Sequence, residues 1–262
     1  MMGAIIGDVV GSVYEFDNIR TKNFNPVNKN MFFTDDTVCT VAFMDYFLHA
    51  EKRDEKTAIE FLHKWTNKYP YSGYGGRFRQ WVYSNNPKPY GSYGNGSAMR
   101  ISSVGWVAKD LNELKLLSDT VTRITHNHPE GMKGALTIAT CVFMARNGCS
   151  KEEIRKYAVS QYPQIQDLNY EWLRQYYCFN ETCQESVPQA IYCFLISTDF
   201  EDCLKTTISI GGDCDTTSAM SCAIAEAYYK SIPVHLIGSV KEKLSGEMLK
   251  IIMDFDKNYC NQ

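Results

Sequence analysis

The chain of 262 residues is 44% hydrophobic and nearly neutral, with a formal net charge of −3 at pH 7. This length allows one sizeable core, and because no linker rich in Pro, Gly or Ser divides the chain, we expect a single domain over residues 1–262. The charge and the lack of a basic block argue against nucleic acid as a partner. No apolar run reaches the roughly 18–20 residues that cross a bilayer, so we expect no membrane association.

The N-terminus and the cysteines both bear on the compartment. The first apolar stretch follows no cationic segment and contains Asp8, which disfavours a signal peptide. The ten cysteines are spaced irregularly and form no C-x-x-C pair, so they predict buried thiols instead of a zinc site. We therefore expect a cytoplasmic protein.

The first predicted helix covers Met2–Phe16 and places Gly3, Gly7 and Gly11 four residues apart on one face. Each glycine costs a helix roughly 1 kcal/mol relative to alanine, so three in register predict close packing against a neighbouring backbone. The segment closes on Glu15, which lies between two aromatic residues. Its carboxylate is either a surface group at a helix end or part of a functional site.

A second helix is predicted over Asp35–Ala50, with Thr34 as its N-cap. From residue 38 to residue 48 this helix is apolar almost all round, which is typical of a central, buried helix. Its first residues, Asp35 and Asp36, would then lie in the interior. Paired carboxylates are costly there unless a cation neutralises them.

An amphipathic helix is predicted over Glu55–Lys68, and two glycine-rich loops follow it at Tyr71–Phe78 and Tyr90–Arg100. Such loops let backbone N–H groups approach an anion such as phosphate, although they also occur as plain connections. Neither loop matches the P-loop or the dinucleotide fingerprint, because no strand precedes it and the glycine spacing differs.

The helix predicted over Leu111–Thr125 ends at the pair His126 and His128, just before a proline. Two histidines suggest a metal site, but no third nitrogen or sulfur ligand lies near them in sequence. A polar turn that caps the next helix, Glu130–Arg146, explains them equally well. Strand signals are nearly absent, so we predict an all-α fold without repeats. The remaining predicted helices are Ser150–Tyr162, Leu168–Tyr177, Val187–Thr198, Phe200–Ile208, Ser218–Tyr229, Leu236–Leu244 and Glu247–Asp256.

The strongest candidate site is Gly211–Thr217, which reads Gly-Gly-Asp-Cys-Asp-Thr-Thr. One interpretation is a glycine turn followed by a helix cap, because carboxylates and hydroxyls stabilise a helix start. The other is that Asp213, Asp215 and Thr216 hold a hard divalent cation through oxygen.

The upstream cluster Thr34–Thr37 favours the cation, since it too precedes a buried helix. The two clusters could surround one centre. Ligation by oxygen alone favours Mg²⁺ or Mn²⁺ over zinc, and so many carboxylates could hold two ions about 3.5–4 Å apart. Together with the glycine-rich loops and aromatic residues, this pattern favours a phosphorylated, ring-bearing small molecule as substrate.

Five motifs follow one another along the chain: Gly3–Asp8 with Glu15, Phe33–Thr37, Gly94–Arg100, Thr125–Pro129 and Gly211–Thr216. In this order they resemble the ADP-ribosylglycohydrolases, a family that includes the dinitrogenase reductase-activating glycohydrolases. The resemblance covers nearly the whole chain. It implies a compact, single-domain, all-α orthogonal helical bundle whose two-metal centre removes ADP-ribose from a modified group.

Carried over position by position, the resemblance implies six ligands for two Mg²⁺ or Mn²⁺ ions. Glu15 matches the family's glutamate near the metals, so Glu15, Asp36 and Asp215 are the implied catalytic residues. Cys214, between two of the aspartates, is given no role. The implied ligands are Thr34, Asp35, Asp36, Asp213, Asp215 and Thr216.

The resemblance also implies a cleft for ADP-ribose. Its diphosphate loop corresponds to residues 73–76, with Gly73, Gly75 and Gly76 as the binding residues. His126 matches a histidine that contacts the distal ribose or phosphate. The rest of the cleft lining corresponds to Ser92, Tyr93, Asn95 and Gly96.

The implied function is a metal-dependent hydrolase that cleaves the N-glycosidic bond of ADP-ribosyl-arginine, acting as a monomer on an ADP-ribosylated protein or small molecule. O-glycosidic bonds, as in ADP-ribosyl-serine, O-acetyl-ADP-ribose or poly-ADP-ribose, stay open because the metal residues are common to both. A non-catalytic ADP-ribose-binding or structural relative is a third interpretation. The intact acidic positions argue against it, since a site that has lost its catalytic function has no reason to keep buried charged residues.

Overall fold

The computed structural model describes residues 1–260, which form helices and one isolated β-bridge, between Gly94 and Thr182, but no strand. The all-α prediction is therefore confirmed. Short 3₁₀ segments cover Asn95–Ser97 and Pro163–Gln166, and a π-helical turn covers Asp256–Cys260. The α-helices of the described residues are α1 (Gly3–Gly11), α2 (Asp35–His49), α3 (Glu55–Lys68), α4 (Gly76–Val82), α5 (Ser102–Val107), α6 (Leu111–Arg123), α7 (Pro129–Arg146), α8 (Lys151–Gln161), α9 (Tyr170–Tyr176), α10 (Cys183–Ile196), α11 (Phe200–Ser209), α12 (Cys214–Tyr229), α13 (Val234–Lys241) and α14 (Gly246–Phe255).

Most of the helices begin and end close to their predicted bounds, because N-cap side chains mark their starts. The carboxylates of Asp54 and Asp110 accept backbone N–H groups in the first turns of α3 and α6. Ser150 and Glu153 form a reciprocal capping box at the start of α8. These signals lie in local sequence, which is why the sequence predicts them.

The helix α1 is shorter than predicted, and α12 is longer. α1 ends at Gly11 instead of Phe16, because the Asn18 side chain binds two carbonyl oxygens beyond the helix and holds them in a turn. α12 begins at Cys214, four residues before the predicted start. Asp215 therefore belongs to the first turn of a helix and not to the loop before it.

The helix α10 also starts early, at Cys183 instead of Val187, and it contains Pro188. Proline has no N–H, so the carbonyl of Gln184 lacks its helical donor. The Gln164 side chain donates to that carbonyl at 3.3 Å, which satisfies it. The structure further adds α4, which overlaps a predicted loop, and α5, for which the sequence pattern gave no prediction.

The closest helix pair joins α1 to α12, and glycine makes it possible. A Cβ atom on Gly7 would collide with the Ser218 carbonyl, and one on Gly11 would lie 2.6 Å from the Cα of Asp215. The predicted close packing of the glycine face is therefore confirmed. It brings the end of α1 against the first turn of α12.

The main apolar cluster includes side chains from Met1 to Phe255, and a small second cluster contains Leu173, Tyr177, Cys193 and Ile210. α2 lies inside the main cluster, with every residue from Asp36 to Phe47 buried, as its uniform hydrophobicity predicts. Over residues 1–260 no helix combines the length and the apolar character needed to cross a membrane.

Candidate active site

Three helix ends converge on one buried point: the end of α1 and the first turns of α2 and α12. Asp8 joins two of them, because its carboxylate accepts the backbone N–H groups of Thr34 and Thr37, each at 3.0 Å. It also accepts the Thr34 hydroxyl at 2.7 Å. Asp8 thus acts as a cap from another helix, and it fixes where α2 begins relative to α1.

Four buried aspartates form what we call the carboxylate floor: Asp8, Asp36, Asp213 and Asp215. One oxygen from each of Asp8, Asp36 and Asp215 lies within 4.8 Å of the other two. The same holds for Glu15, Asp213 and Asp215. Because Asp215 belongs to both groups, the residues could hold two neighbouring cations that share one carboxylate.

Asp36 carries the clearest indication that the floor is built for a cation. Its Oδ2 accepts the Thr216 hydroxyl at 3.2 Å, whereas its Oδ1 is buried and has no hydrogen-bond donor. A buried carboxylate oxygen without a partner is strongly unfavourable in a protein interior. A hard divalent ion would supply that partner, and the all-oxygen surroundings suit Mg²⁺ or Mn²⁺.

The electrostatics of the floor also favour a bound cation. Burial, followed by the negative charges of neighbouring carboxylates, holds the pKa values of Asp36 and Asp215 well above the usual range. Burial also raises the pKa of Asp213 to about 6, even though hydrogen bonds from its neighbours lower it. The pKa of Glu15 is raised to about 8 by burial and then by Asp215. Without a cation these groups would not all be ionised at neutral pH.

A cleft of about 260 Å³ opens above the floor. One wall is the loop containing Gly73, Gly75 and Gly76, and the facing wall includes Ser92, Asn95 and Gly96. The walls and the floor are linked, because the Asn95 side-chain amide donates to Asp213 Oδ2 at 2.7 Å. The predicted phosphate loop and the predicted cleft segment therefore line one cleft above the carboxylates.

His126 lies buried beneath the second wall, with its Nε2 on the side of Gly96. Arg100 donates to the Thr125 hydroxyl at 2.6 Å, and that hydroxyl lies 2.7 Å from His126 Nδ1. The Thr125 hydroxyl and His126 Nδ1 are thus hydrogen-bonded to each other, and Nε2 is the ring nitrogen on the side of the cleft. Burial and the nearby positive charges of Arg100 and Arg77 hold the pKa of His126 well below its usual value, so the ring is neutral.

Two predicted site residues lie away from the cleft surface. Thr34 is buried behind the floor, where its hydroxyl bonds to Asp8. Tyr93 is 46% exposed, and its ring packs against His128 at 5.2 Å. The other predicted residues all line the cleft: Glu15, Asp35, Asp36, Gly73, Gly75, Gly76, Ser92, Asn95, Gly96, His126, Asp213, Asp215 and Thr216.

Some residues of the floor and of the cleft were not predicted as site residues. Asp8 had a signal, since it is the only charged residue in an apolar, glycine-rich helix. Arg100 closes a motif that was recognised, but it received no role. Phe179 and Glu181 belong to the segment between α9 and α10 and had no local signal. The loop Gly211–Gly212, with φ values of 73° and 78°, is the glycine turn that the sequence predicts.

Comparisons with known proteins identify the family of the chain. The family model for ADP-ribosylglycohydrolase matches residues 1–260. The chain is similar to ADP-ribosylhydrolase ARH3 of Mus musculus, with 27% identity over 87% of this chain and 82% of the relative. It is also similar to the ADP-ribosyl-[dinitrogen reductase] glycohydrolase of Rhodospirillum rubrum, with 28% identity over 62% of this chain and 55% of the relative.

A solved structure described as an ADP-ribosylglycohydrolase-related protein complex has the same fold. It superposes with a TM-score of 0.71 at 21% identity and covers 98% of this chain and 95% of its own. Since the family model spans the chain and its relatives carry the names of hydrolases, a non-catalytic interpretation has no support. The chain belongs to the ADP-ribosylglycohydrolase family and is an enzyme of that class.

Proposed function

We propose that this enzyme releases ADP-ribose from an acceptor by cation-dependent hydrolysis, and that the bond it cleaves is the N-glycosidic bond of ADP-ribosyl-arginine. The observation that carries the proposal is the pair of carboxylate groups that share Asp215, at the bottom of a cleft with glycine-rich walls. Such an arrangement suits two cations next to a bound sugar.

The ligands in this proposal are Asp36, Asp213 and Asp215 of those two groups, together with Asp35, which lines the same cleft, and the hydroxyls of Thr34 and Thr216. Asp8 belongs to one of the groups, but both of its oxygens already accept hydrogen bonds from Thr34 and Thr37, so it supports the ligands and is not one of them. A bound pair of Mg²⁺ or Mn²⁺ ions would supply Lewis-acid stabilisation of negative charge and an acidified water. The protein positions the ligands from behind. Asp8 fixes Thr34, Asn95 orients Asp213, and Thr216 bonds to Asp36.

The reaction breaks the bond between the anomeric carbon and a guanidine nitrogen, and a water oxygen bonds to that carbon. One water proton stays on the new hydroxyl and the other moves to the released nitrogen. Asp36 and Asp215 orient the attacking water, while Glu15 carries its proton to the released nitrogen. With a pKa of about 8 in the cation-free protein, Glu15 holds a proton at neutral pH, and bound cations would lower that pKa.

The rest of the cleft would bind ADP-ribose. The backbone around Gly73, Gly75 and Gly76 is open enough to approach a diphosphate, since a Cβ on either of the last two would meet no atom within 4 Å. On the second wall, Nε2 of the neutral His126 would form a hydrogen bond with the ligand, which would also approach the backbone near Gly96. Charge complementarity from Arg77 and Arg100 would favour the anionic part of the ligand.

The arginine acceptor is supported by the charge at the cleft mouth. Glu15 and Glu181 both line the cleft there, and the charged groups that most affect Glu15 are other carboxylates. A cationic leaving group suits such surroundings better than a neutral hydroxyl. An O-glycosidic bond is the alternative acceptor chemistry, because the carboxylate floor would serve it equally well.

The test uses a panel of defined substrates: ADP-ribosyl-arginine, ADP-ribosyl-serine, O-acetyl-ADP-ribose and poly-ADP-ribose. We expect release of ADP-ribose with the highest kcat/KM on the arginine linkage, loss of activity with a chelator, and recovery with Mg²⁺ or Mn²⁺. Faster turnover of a serine linkage would replace the proposed acceptor. Chelator-resistant activity in both Asp36→Ala and Asp215→Ala would contradict the cation mechanism.

A further inference from the structure

Two aromatic side chains are exposed to solvent at the cleft mouth. Phe16 is 85% exposed and Phe179 is 44% exposed, and their rings are stacked with centroids 6.1 Å apart and planes 24° from parallel. Phe179 also lines the cleft, together with Glu15 and Glu181. Large apolar side chains that stay exposed beside a cleft are typical of a surface that is covered when a ligand binds.

The backbone beneath this pair is anchored from both sides. Asn18 donates to the carbonyls of Glu15 and Gly212, at 3.1 and 3.0 Å, and accepts the N–H of Gly212 at 2.7 Å. Arg20 donates to the carbonyl of Tyr177 at 2.9 Å and to that of Ile210. The segments that carry Phe16 and Phe179 are thus tied to the same glycine turn that carries Asp213, so the pair holds a fixed position relative to the floor.

Glu181 is fixed in the same way from the facing wall. Its carbonyl accepts the N–H of Asn95 at 2.7 Å, and the neighbouring Thr182 pairs with Gly94 in the single β-bridge of the described chain. Glu181 lines the same cleft as Glu15 and Asp213, so it belongs to the surface around the place where the bond would break. The mouth therefore combines an aromatic platform with an unneutralised acidic edge.

We propose that Phe16, Phe179 and Glu181 form an acceptor subsite that binds the planar guanidinium of the group from which ADP-ribose is removed. This inference rests on the proposed hydrolysis of ADP-ribosyl-arginine and names the residues that select its acceptor. A guanidinium stacks on an aromatic face and pairs with a carboxylate at its edge, and this subsite offers both. A serine hydroxyl offers neither a plane nor a charge.

The test compares kcat/KM for small-molecule ADP-ribosyl-arginine and for an ADP-ribosyl-serine peptide in Phe179→Ala, Phe16→Ala and Glu181→Gln. We expect kcat/KM on the arginine substrate to fall about 5- to 30-fold in Phe179→Ala and Glu181→Gln, and less in Phe16→Ala, the more exposed ring. The value on the serine substrate and the Kd for ADP-ribose should change less than about 2-fold. Phe179→Tyr, which keeps the ring, should retain wild-type selectivity.

Matched controls come from elsewhere on the surface. Trp172→Ala removes one ring of another exposed aromatic pair, on α9, and Glu242→Gln removes an exposed carboxylate at the end of α13. Neither residue lines the cleft, so neither variant should change the arginine-to-serine ratio of kcat/KM.

Three outcomes would overturn the subsite. If the wild type cleaves ADP-ribosyl-arginine but Phe179→Ala and Glu181→Gln lower both linkages equally, the residues only support the fold of the mouth. Unchanged rates in all three variants would likewise remove them from recognition. If the wild type itself does not cleave the arginine linkage, the proposed acceptor fails together with the subsite. The wild-type measurement therefore separates the two failures.

Discussion

The carboxylate floor and the cleft mouth are built by opposite means. The floor is buried, lies at the ends of helices, and is held by contacts between helix backbones, such as Gly7 of α1 against Ser218 of α12. The mouth is exposed, lies in two connecting segments, and is held by single side chains such as Asn18 and Arg20. The difference suggests that the floor fixes the reaction while the mouth selects the acceptor, because connections can change without disturbing helix packing.

The largest effect is expected where the floor carries charge. Asp36→Asn should reduce kcat/KM by more than about 1000-fold, which corresponds to about 4 kcal/mol of barrier. It should abolish the rise in Tm that Mg²⁺ or Mn²⁺ causes, because it removes a ligand oxygen that has no other partner. The Tm of the cation-free protein should stay the same or rise, since one of several crowded negative charges is removed.

The control for this variant is Asp45→Asn, at a buried aspartate whose Oδ2 accepts from Lys64 at 2.6 Å and from Trp65 at 2.8 Å. That variant should lower the Tm and leave the response to Mg²⁺ intact. A cation-dependent rise in Tm that persists in Asp36→Asn would contradict a role for this carboxylate in holding the ion. Differential scanning fluorimetry, with and without the metal, measures both.

The next effect concerns the backbone contact that supports the floor. Gly7→Ala should lower the free energy of unfolding by about 3 kcal/mol, because its Cβ would collide with the Ser218 carbonyl of a tightly packed helix pair. Gly238→Ala is the matched control, since Gly238 lies within α13 and a Cβ there would meet nothing within 4 Å. It should stabilise the protein by about 0.5–1 kcal/mol. Urea unfolding measures both, and equal effects in the two variants would refute the packing argument.

A smaller effect is expected where the wall meets the floor. Asn95→Ala removes the amide that donates to Asp213 Oδ2 and should lower kcat/KM or metal affinity by about 10- to 100-fold, as for other groups that orient a ligand from behind. Asn95→Asp should lower kcat/KM or metal affinity further than Asn95→Ala does, because it adds a negative charge beside Asp213. Isothermal titration with Mn²⁺ and steady-state kinetics report the two quantities. An Asn95→Asp variant with wild-type affinity would show that Asp213 needs no orientation.

The smallest effect depends on pH and concerns His126. In the unfolded chain this imidazole binds a proton below its ordinary pKa of about 6.5, whereas burial keeps it neutral in the folded protein to a much lower pH. Between these two pKa values the unfolded state holds more protons than the folded state, so the contribution of His126 to stability falls as the pH falls.

Wild type and His126→Gln should therefore respond differently to acid. The free-energy difference between them should be constant above about pH 7 and should move in favour of the variant, by about 1 kcal/mol per pH unit, as the pH drops from about 6.5 to 5. Urea unfolding at pH 8, 6 and 5 measures it, and a pH-independent difference would mean that His126 has its ordinary pKa in the folded protein.

The local sequence predicted much of the floor. Thr34 marks the start of α2 through short-range capping chemistry, because its hydroxyl accepts the N–H of Asp36. Gly211 and Gly212 mark the turn before Asp213 and Asp215, although α12 begins earlier than predicted. The uniform hydrophobicity of α2 indicated that its first turn is buried, and the glycine face of α1 indicated a close neighbour. These inferences needed no knowledge of tertiary contacts, because each depends on residues within one or two helical turns.

The sequence by itself determined that the protein is all-helical, where most of its helices begin, and which two acidic clusters lie at buried helix starts. Only the tertiary structure decided that Asp8 caps α2 from α1, that Phe179 stacks on Phe16, and that Glu181 lines the same cleft as Glu15. Those contacts join residues far apart in the chain, so they depend on how helices pack and where connections cross. Helix capping and hydrophobic periodicity act over a few residues and can therefore be identified in the sequence. Which residues become neighbours across a cleft is decided by the packing of the whole core.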